Sequence, residues 1–218
     1  METWPFYKAP SGYRLIDIDY KICFDDSDGL ILNWKKYYGV LVKFLSSSGK
    51  RQRQKIKGLV EKVRDAPDLP ENGKNAAIFW ALHGYFVPLI VVKKDGKKIN
   101  TRYTIKDSQE SFIFMGKSQQ NVEDHILHIK SMKTSIQPFI CCVGEDILNI
   151  GNISVYFDDI RYNFKNFIRG VDICFKIIYL FDLEFPPACL TFYSFIEVFF
   201  IILSQKTLRP RFIFCQTP

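Results

Sequence analysis

Several patterns that mark common enzyme classes are missing from this 218-residue chain. Neither GxxxxGK[ST] nor GxGxxG occurs, so there is no glycine-rich loop to cradle a phosphate group. GxSxG is absent, which leaves a hydrolase nucleophile elbow unsupported. HExxH is absent too, and with it the helical zinc pair of the metalloproteases. Histidine is scarce, at 3 residues, and the 6 cysteines show no CxxC spacing. No cofactor is expected. The first residues, Met1 to Phe6, carry no basic stretch before an apolar run, so no secretory signal is expected. Reduced thiols in an intracellular setting, nucleus or cytoplasm, follow from that and from the irregular cysteine spacing.

Long uncharged runs are also few. Asn75 to Val92 holds eighteen residues without a charge, but Asn75, His83, Gly84 and Pro88 suit a buried helix followed by an extended segment. Phe185 to Gln205 carries only Glu197, yet Pro186-Pro187 leaves fewer helical residues than the ~20 a membrane span requires. A core-packed terminal helix over Ala188 to Leu203 is therefore expected, membrane contact is not, and a tail-anchored membrane protein is an alternative reading.

What the chain does have is aromatic bulk: 20 Phe, 11 Tyr and 3 Trp. Hydrophobic residues at 47% against 24% charged exclude a disordered chain and predict one domain or a tight pair. The net charge of +7 is concentrated, because residues 35–65 carry ten basic and two acidic side chains. A local cationic patch is the feature to explain.

The two-residue alternation of Gly12 to Tyr20 predicts an extended strand or arm. A helix then follows Asp25-Asp26-Ser27-Asp28 and ends at Ser46-Ser47-Ser48-Gly49, with Leu32, Tyr37 and Val40 or Leu41 as inward residues. A second, basic helix runs from about Lys50 to Arg64, its apolar arc formed by Ile56, Leu59, Val60 and Val63. Ala66-Pro67-Asp68-Leu69-Pro70 is the best internal boundary. It separates a 1–66 part from a 71–204 domain, with 205–218 as a tail. Beyond it come a helix from Glu71 to Tyr85 and a charged loop Lys93 to Lys98 with an Asp-Gly turn. A strand at Ser111 to Met115 and an amphipathic helix at Gln119 to Met132 lead to strands at Pro138 to Val143, Asn152 to Phe157 and Ile160 to Tyr162. Helices at about Asn166 to Asp182 and Ala188 to Leu203 close the chain. The order predicts an α/β or α+β fold: a helical N-terminal part, then a small sheet of about four strands packed by C-terminal helices.

Three constellations could carry chemistry. His125 and His128 sit three apart beside Glu123 and Asp124, but no second ligand pair has a metal-binding spacing. Asp158 and Asp159 follow a strand, where a two-metal nuclease places carboxylates, although an Asp-Asp pair is also ordinary turn chemistry. The strongest feature is the basic helix. Lys50, Arg51, Arg53, Lys55, Lys57, Lys62 and Arg64 could contact nucleic-acid phosphates, with Trp34, Tyr37 and Tyr38 offering stacking surfaces. The same run also has the composition of a nuclear localisation segment.

Gln137-Pro-Phe-Ile140 with Val143-Gly144, Val155 to Tyr162, Val171 to Lys176 and Leu183 to Pro187 together carry a family likeness. In that order they resemble the C-terminal region of uncharacterised animal proteins labelled sterile-alpha-motif-domain-containing or transposon-associated. The resemblance implies a mobile-element or expanded-family origin and brings no catalytic residues. The expected function is a non-enzymatic module that binds a protein partner or a nucleic acid, with a metal-dependent nuclease remnant using Asp158 and Asp159 as the alternative.

Overall fold

The computed structural model describes residues 5–24, 29–47, 54–86, 89–94, 97–132 and 137–201. Its N-terminal part is helical: α1 (Tyr13–Phe24), α2 (Gly29–Ser47), α3 (Gln54–Asp65) and α4 (Glu71–Leu82). A hairpin, β1 (Leu89–Lys94) and β2 (Lys97–Arg102), pairs antiparallel across the Asp-Gly position, so the expected charged loop consists largely of strand. Next come α5 (Ile105–Phe112), β3 (Ile113–Gly116), α6 (Gln119–Ser131), β4 (Phe139–Gly144), β5 (Ile150–Phe157), β6 (Ile160–Phe164) and α7 (Phe167–Leu180). The described residues end in a short 3-10 turn, α8 (Leu190–Ile196) and one wide turn of π-helix at Glu197–Ile201. The fold is α+β.

The main sheet has the order β3-β4-β5-β6, parallel between β3 and β4 and antiparallel elsewhere. Alternation divides its two faces. Ile140, Cys142, Ile153, Val155, Phe157 and Tyr162 enter the main core, against α7 and the C-terminal helix. Phe139, Cys141 and Tyr156 point the other way and are covered by Val122 and Ile126 of α6. Ser118 and Thr104 cap α6 and α5, and Asp107 completes a capping box at the latter.

One core joins both halves of the chain. Ile16, Leu30, Trp34 and Val60 belong to the same buried cluster as Ile140, Val155, Phe175 and Phe192. The Ala66–Pro70 segment is thus a turn between α3 and α4, which pack on each other. The terminal segment lies in this core: Phe192, Tyr193, Ile196 and Phe200 have no exposed surface. Among the described residues no helix is long and apolar enough to cross a membrane.

Two expectations are corrected. Residues 13–24 form a helix, not an extended arm. Their apolar alternation also contains the helical stripe Tyr13, Ile16, Tyr20 and Phe24, and this stripe is what packs, whereas Ile18 and Ile22 remain 53% and 75% exposed. In α2 the inward set is Leu30, Trp34, Leu41 and Leu45, leaving Leu32 and Val40 on the surface. The register is fixed by Trp34, which stacks on Phe79 at 4.3 Å and donates its indole N–H to Asn75 at 2.9 Å.

Candidate functional site

The basic helix folds as its pattern implies. Ile56, Val60 and Val63 are buried and Leu59 is partly so, which turns the polar face of α3 outward. Lys57, Lys62 and Arg64 are exposed there. Lys50, Arg51 and Arg53 lie outside the described residues, and Lys55 lies within α3. The two acidic residues of the stretch are already engaged on this helix. Lys57 pairs with Glu61 at 3.8 Å, and the Arg64 guanidinium grips Asp65 through bonds of 2.6 and 2.9 Å. A groove of about 460 Å³ beside Leu69 and Leu148 is lined by Lys62 together with Glu61 and Asp65, so carboxylates rim it.

The adjoining helix carries its charge differently. α2 spans 19 residues without a single Asp or Glu. Lys35, Lys36 and Lys43 are exposed on it, and Lys36 lies over the Tyr37 ring at 4.9 Å. Lys35, Lys43 and Lys62 have no carboxylate partner among the described residues. Interleaved with these lysines are Leu32, Val40 and Phe44, at 66%, 60% and 51% exposure. The expected stacking residues behave otherwise. Trp34 is sealed in the core, and Tyr37 and Tyr38 are half-covered, Tyr37 lying edge-on to Phe199 at 5.1 Å. Phe44 is the exposed ring on this helix, with Tyr85 behind it at 5.5 Å.

Asp158 and Asp159 occupy a two-residue turn between β5 and β6, both with positive φ, 47° and 68°. Those angles suit the type I′ hairpin turn, whose twist matches that of the flanking strands. Asp159 pairs with Lys130 and accepts a 2.9 Å bond from the Tyr156 hydroxyl. These donors, Lys130 first, hold its carboxyl below the usual range. Among the described residues no three His, Cys, Asp or Glu side chains are grouped to hold a metal ion. His125 is stacked on Phe114 at 3.7 Å, nearly parallel, and burial lowers its pKa.

Two buried polar groups were not legible as sites. His83 Nδ1 lies 2.8 Å from Ser108 Oγ, a base-and-hydroxyl pair of the kind that activates nucleophiles. Both residues are fully buried, and the imidazole is stacked on Phe192 at 3.7 Å. Burial drives its pKa down to about 3, so the ring is neutral, and the groove beside Leu69 and Leu148 does not reach it. The second is an ionic cluster between α1 and α7. Lys176 Nζ bonds Asp17 at 2.9 Å and Asp172 at 2.8 Å, while Arg169 binds the same two carboxylates. Asp172 and Lys176 are 4% and 2% exposed, so the cluster fastens α1 to the sheet-packing helix.

A second groove, of about 510 Å³, lies on the part of the sheet that α6 leaves open, over Asn152, Ser154, Asn163 and Lys165. The five described cysteines are free thiols. Burial pushes the Cys141 and Cys174 thiols up to about 12, which makes them packing groups rather than nucleophiles. Comparison with protein-family models, with curated proteins and with solved structures finds no match.

Proposed function

We propose that this chain is a nucleic-acid-binding module whose contact surface is the outward face of α2 and α3. The observation that carries the reading is the asymmetry of charge on the α2–α3 pair. Their cations outnumber their carboxylates, the two acids are used within α3, and Lys35, Lys36 and Lys43 stand on a helix with no acid at all. Such a surface neutralises phosphates and releases counterions, a gain that requires no base recognition. The core holds this surface rigidly, since α2 and α3 pack on each other and Trp34 anchors α2 to α4.

The test is the salt dependence of binding to fluorescein-labelled 20-mers, paired and unpaired, between 50 and 200 mM KCl. Each phosphate contact contributes a slope of roughly 0.7–0.9 in log K against log salt. Replacing Lys35, Lys43 and Lys62 with Gln should leave the fold intact, weaken every probe alike and lower that slope by about 2. Absence of binding at 50 mM KCl, or equal binding by the triple variant, refutes the reading.

A further inference from the structure

Cations alone would suit any polyanion, but the surface of α2 carries more than cations. Leu32, Lys36, Val40 and Phe44 recur every four residues and therefore lie in a row, with Lys43 beside Phe44. The row runs about 18 Å along the helix, from Leu32 to Phe44. Large apolar groups exposed beside lysines find few partners on an undistorted duplex, whose base faces are stacked inside and whose exterior is largely charged backbone. An unpaired strand offers both groups a partner, because its phosphates can meet the lysines while its base faces remain open to stacking.

Among the aromatic side chains described as exposed are Phe6 and Phe44. Phe6 precedes α1, in the part of the chain where acidic residues outnumber basic ones. Phe44 sits beside Lys43 and one turn from Val40; its ring is 51% exposed and lies tilted against Tyr85 at 5.5 Å. On the polyanion reading above, we propose that α2 selects unpaired polynucleotide strands, with Phe44 as the base-stacking platform, Val40 and Leu32 as its apolar continuation, and Lys36 and Lys43 as the phosphate contacts.

The experiment measures fluorescence anisotropy of the full chain with oligo-dT and oligo-U 15-mers and with a 15-base-pair duplex. Phe44→Ala should weaken the unpaired strands about tenfold, the equivalent of one stacked base, and change duplex binding less than about twofold. The salt slope should not move, because no charge is lost. Phe44→Trp should keep strand affinity, and the new indole emission should be quenched when oligo-dT is added. If Phe44→Ala weakens duplex and strands equally, or neither, strand selection by Phe44 is wrong while polyanion binding stands. If the wild type binds none of the probes at 50 mM KCl, both fail. Should Phe44→Ala melt below the assay temperature, quenching of Phe44→Trp decides, and an unquenched indole on a bound strand overturns the proposal.

Discussion

Replacing Lys176 with Met tests the physical account of how α1 is held. The ammonium sits between Asp17 and Asp172 and is 2% exposed, so no water shell can replace it when it is removed. The intact cluster has two carboxylates and two cations; the variant leaves two carboxylates to Arg169 alone. Breaking a buried pair from one side costs about 3–5 kcal/mol, against a total stability of roughly 5–15 kcal/mol for a domain. Urea unfolding followed by tryptophan fluorescence, with the buried Trp34 as a reporter, reads that loss as a lower midpoint at unchanged slope.

The pH dependence gives a sharper test. Burial pushes the Asp172 carboxyl up to about 6, although Lys176 and Arg169 pull it down. Without Lys176 it must rise further. A carboxyl whose folded pKa lies above its unfolded value binds its proton more tightly when folded. Its contribution is therefore unfavourable above the folded pKa, and the penalty is relieved as pH falls toward the unfolded value near 4. The deficit of Lys176→Met should be greatest at pH 8 and much smaller at pH 5. Adding Asp172→Leu removes the stranded charge and should restore most of the loss at pH 8. A deficit below about 1 kcal/mol at pH 8, the size of an exposed pair, would refute the buried-cluster account. So would a deficit that does not change between pH 8 and pH 5.

Asp159→Asn should leave the fold intact and cost less than about 1 kcal/mol, since the amide oxygen can still accept from the Tyr156 hydroxyl and only the exposed pair with Lys130 is lost. Millimolar magnesium or manganese should not shift the wild-type melting temperature, and a metal-dependent rise that the variant loses would return Asp158 and Asp159 to a two-metal role. Ending the chain at Pro187 removes Phe192, Tyr193, Ile196 and Phe200 from the core, at about 1.5–3 kcal/mol each, a sum comparable to a whole domain's stability. The truncated chain should be insoluble or unfolded by circular dichroism, and a folded, soluble product would show that the terminal helix is dispensable.

Much of the sheet was legible because its strands carry period-two patterns between clear breaks. Ile153, Val155 and Phe157 alternate and face the core, and the Asp158-Asp159 turn sits where the pattern stops. The apolar arc of α3 was equally plain, because its other positions are so strongly charged. α1 is ambiguous for a local reason: Tyr13 to Tyr20 satisfies both periods over eight residues, and α7 decides between them by offering Arg169 and Lys176 to Asp17. No pattern within residues 12–24 carries that information. The register of α2 was hidden by its composition, since apolar residues occupy both faces and only the Trp34–Phe79 stack and the Asn75 acceptor select the inner one. α5 carries no apolar periodicity to mark it, because only Phe112 and the polar Ser108 and Gln109 are buried on it.

Aromatic abundance explains why the candidate interface could be located only in part from sequence. With 34 Phe, Tyr and Trp residues, nearly every segment offers a ring beside a charge, so proximity in sequence has little power to identify a stacking surface. The fold removes most of the ambiguity. Phe79, Phe112, Phe167 and Phe192 pack edge-on or stacked with one another in the core, and Trp34 joins them. Each ring placed there gains its burial energy and loses the ability to meet a ligand. Trp34 and Phe44 are ten residues apart on one helix and differ by roughly 80° of rotation, enough to place one against Phe79 in the core and the other half-exposed beside Tyr85. Helical phase therefore decides which aromatic of α2 is exposed, and that phase is set from outside the helix, by Phe79 and Asn75 on α4.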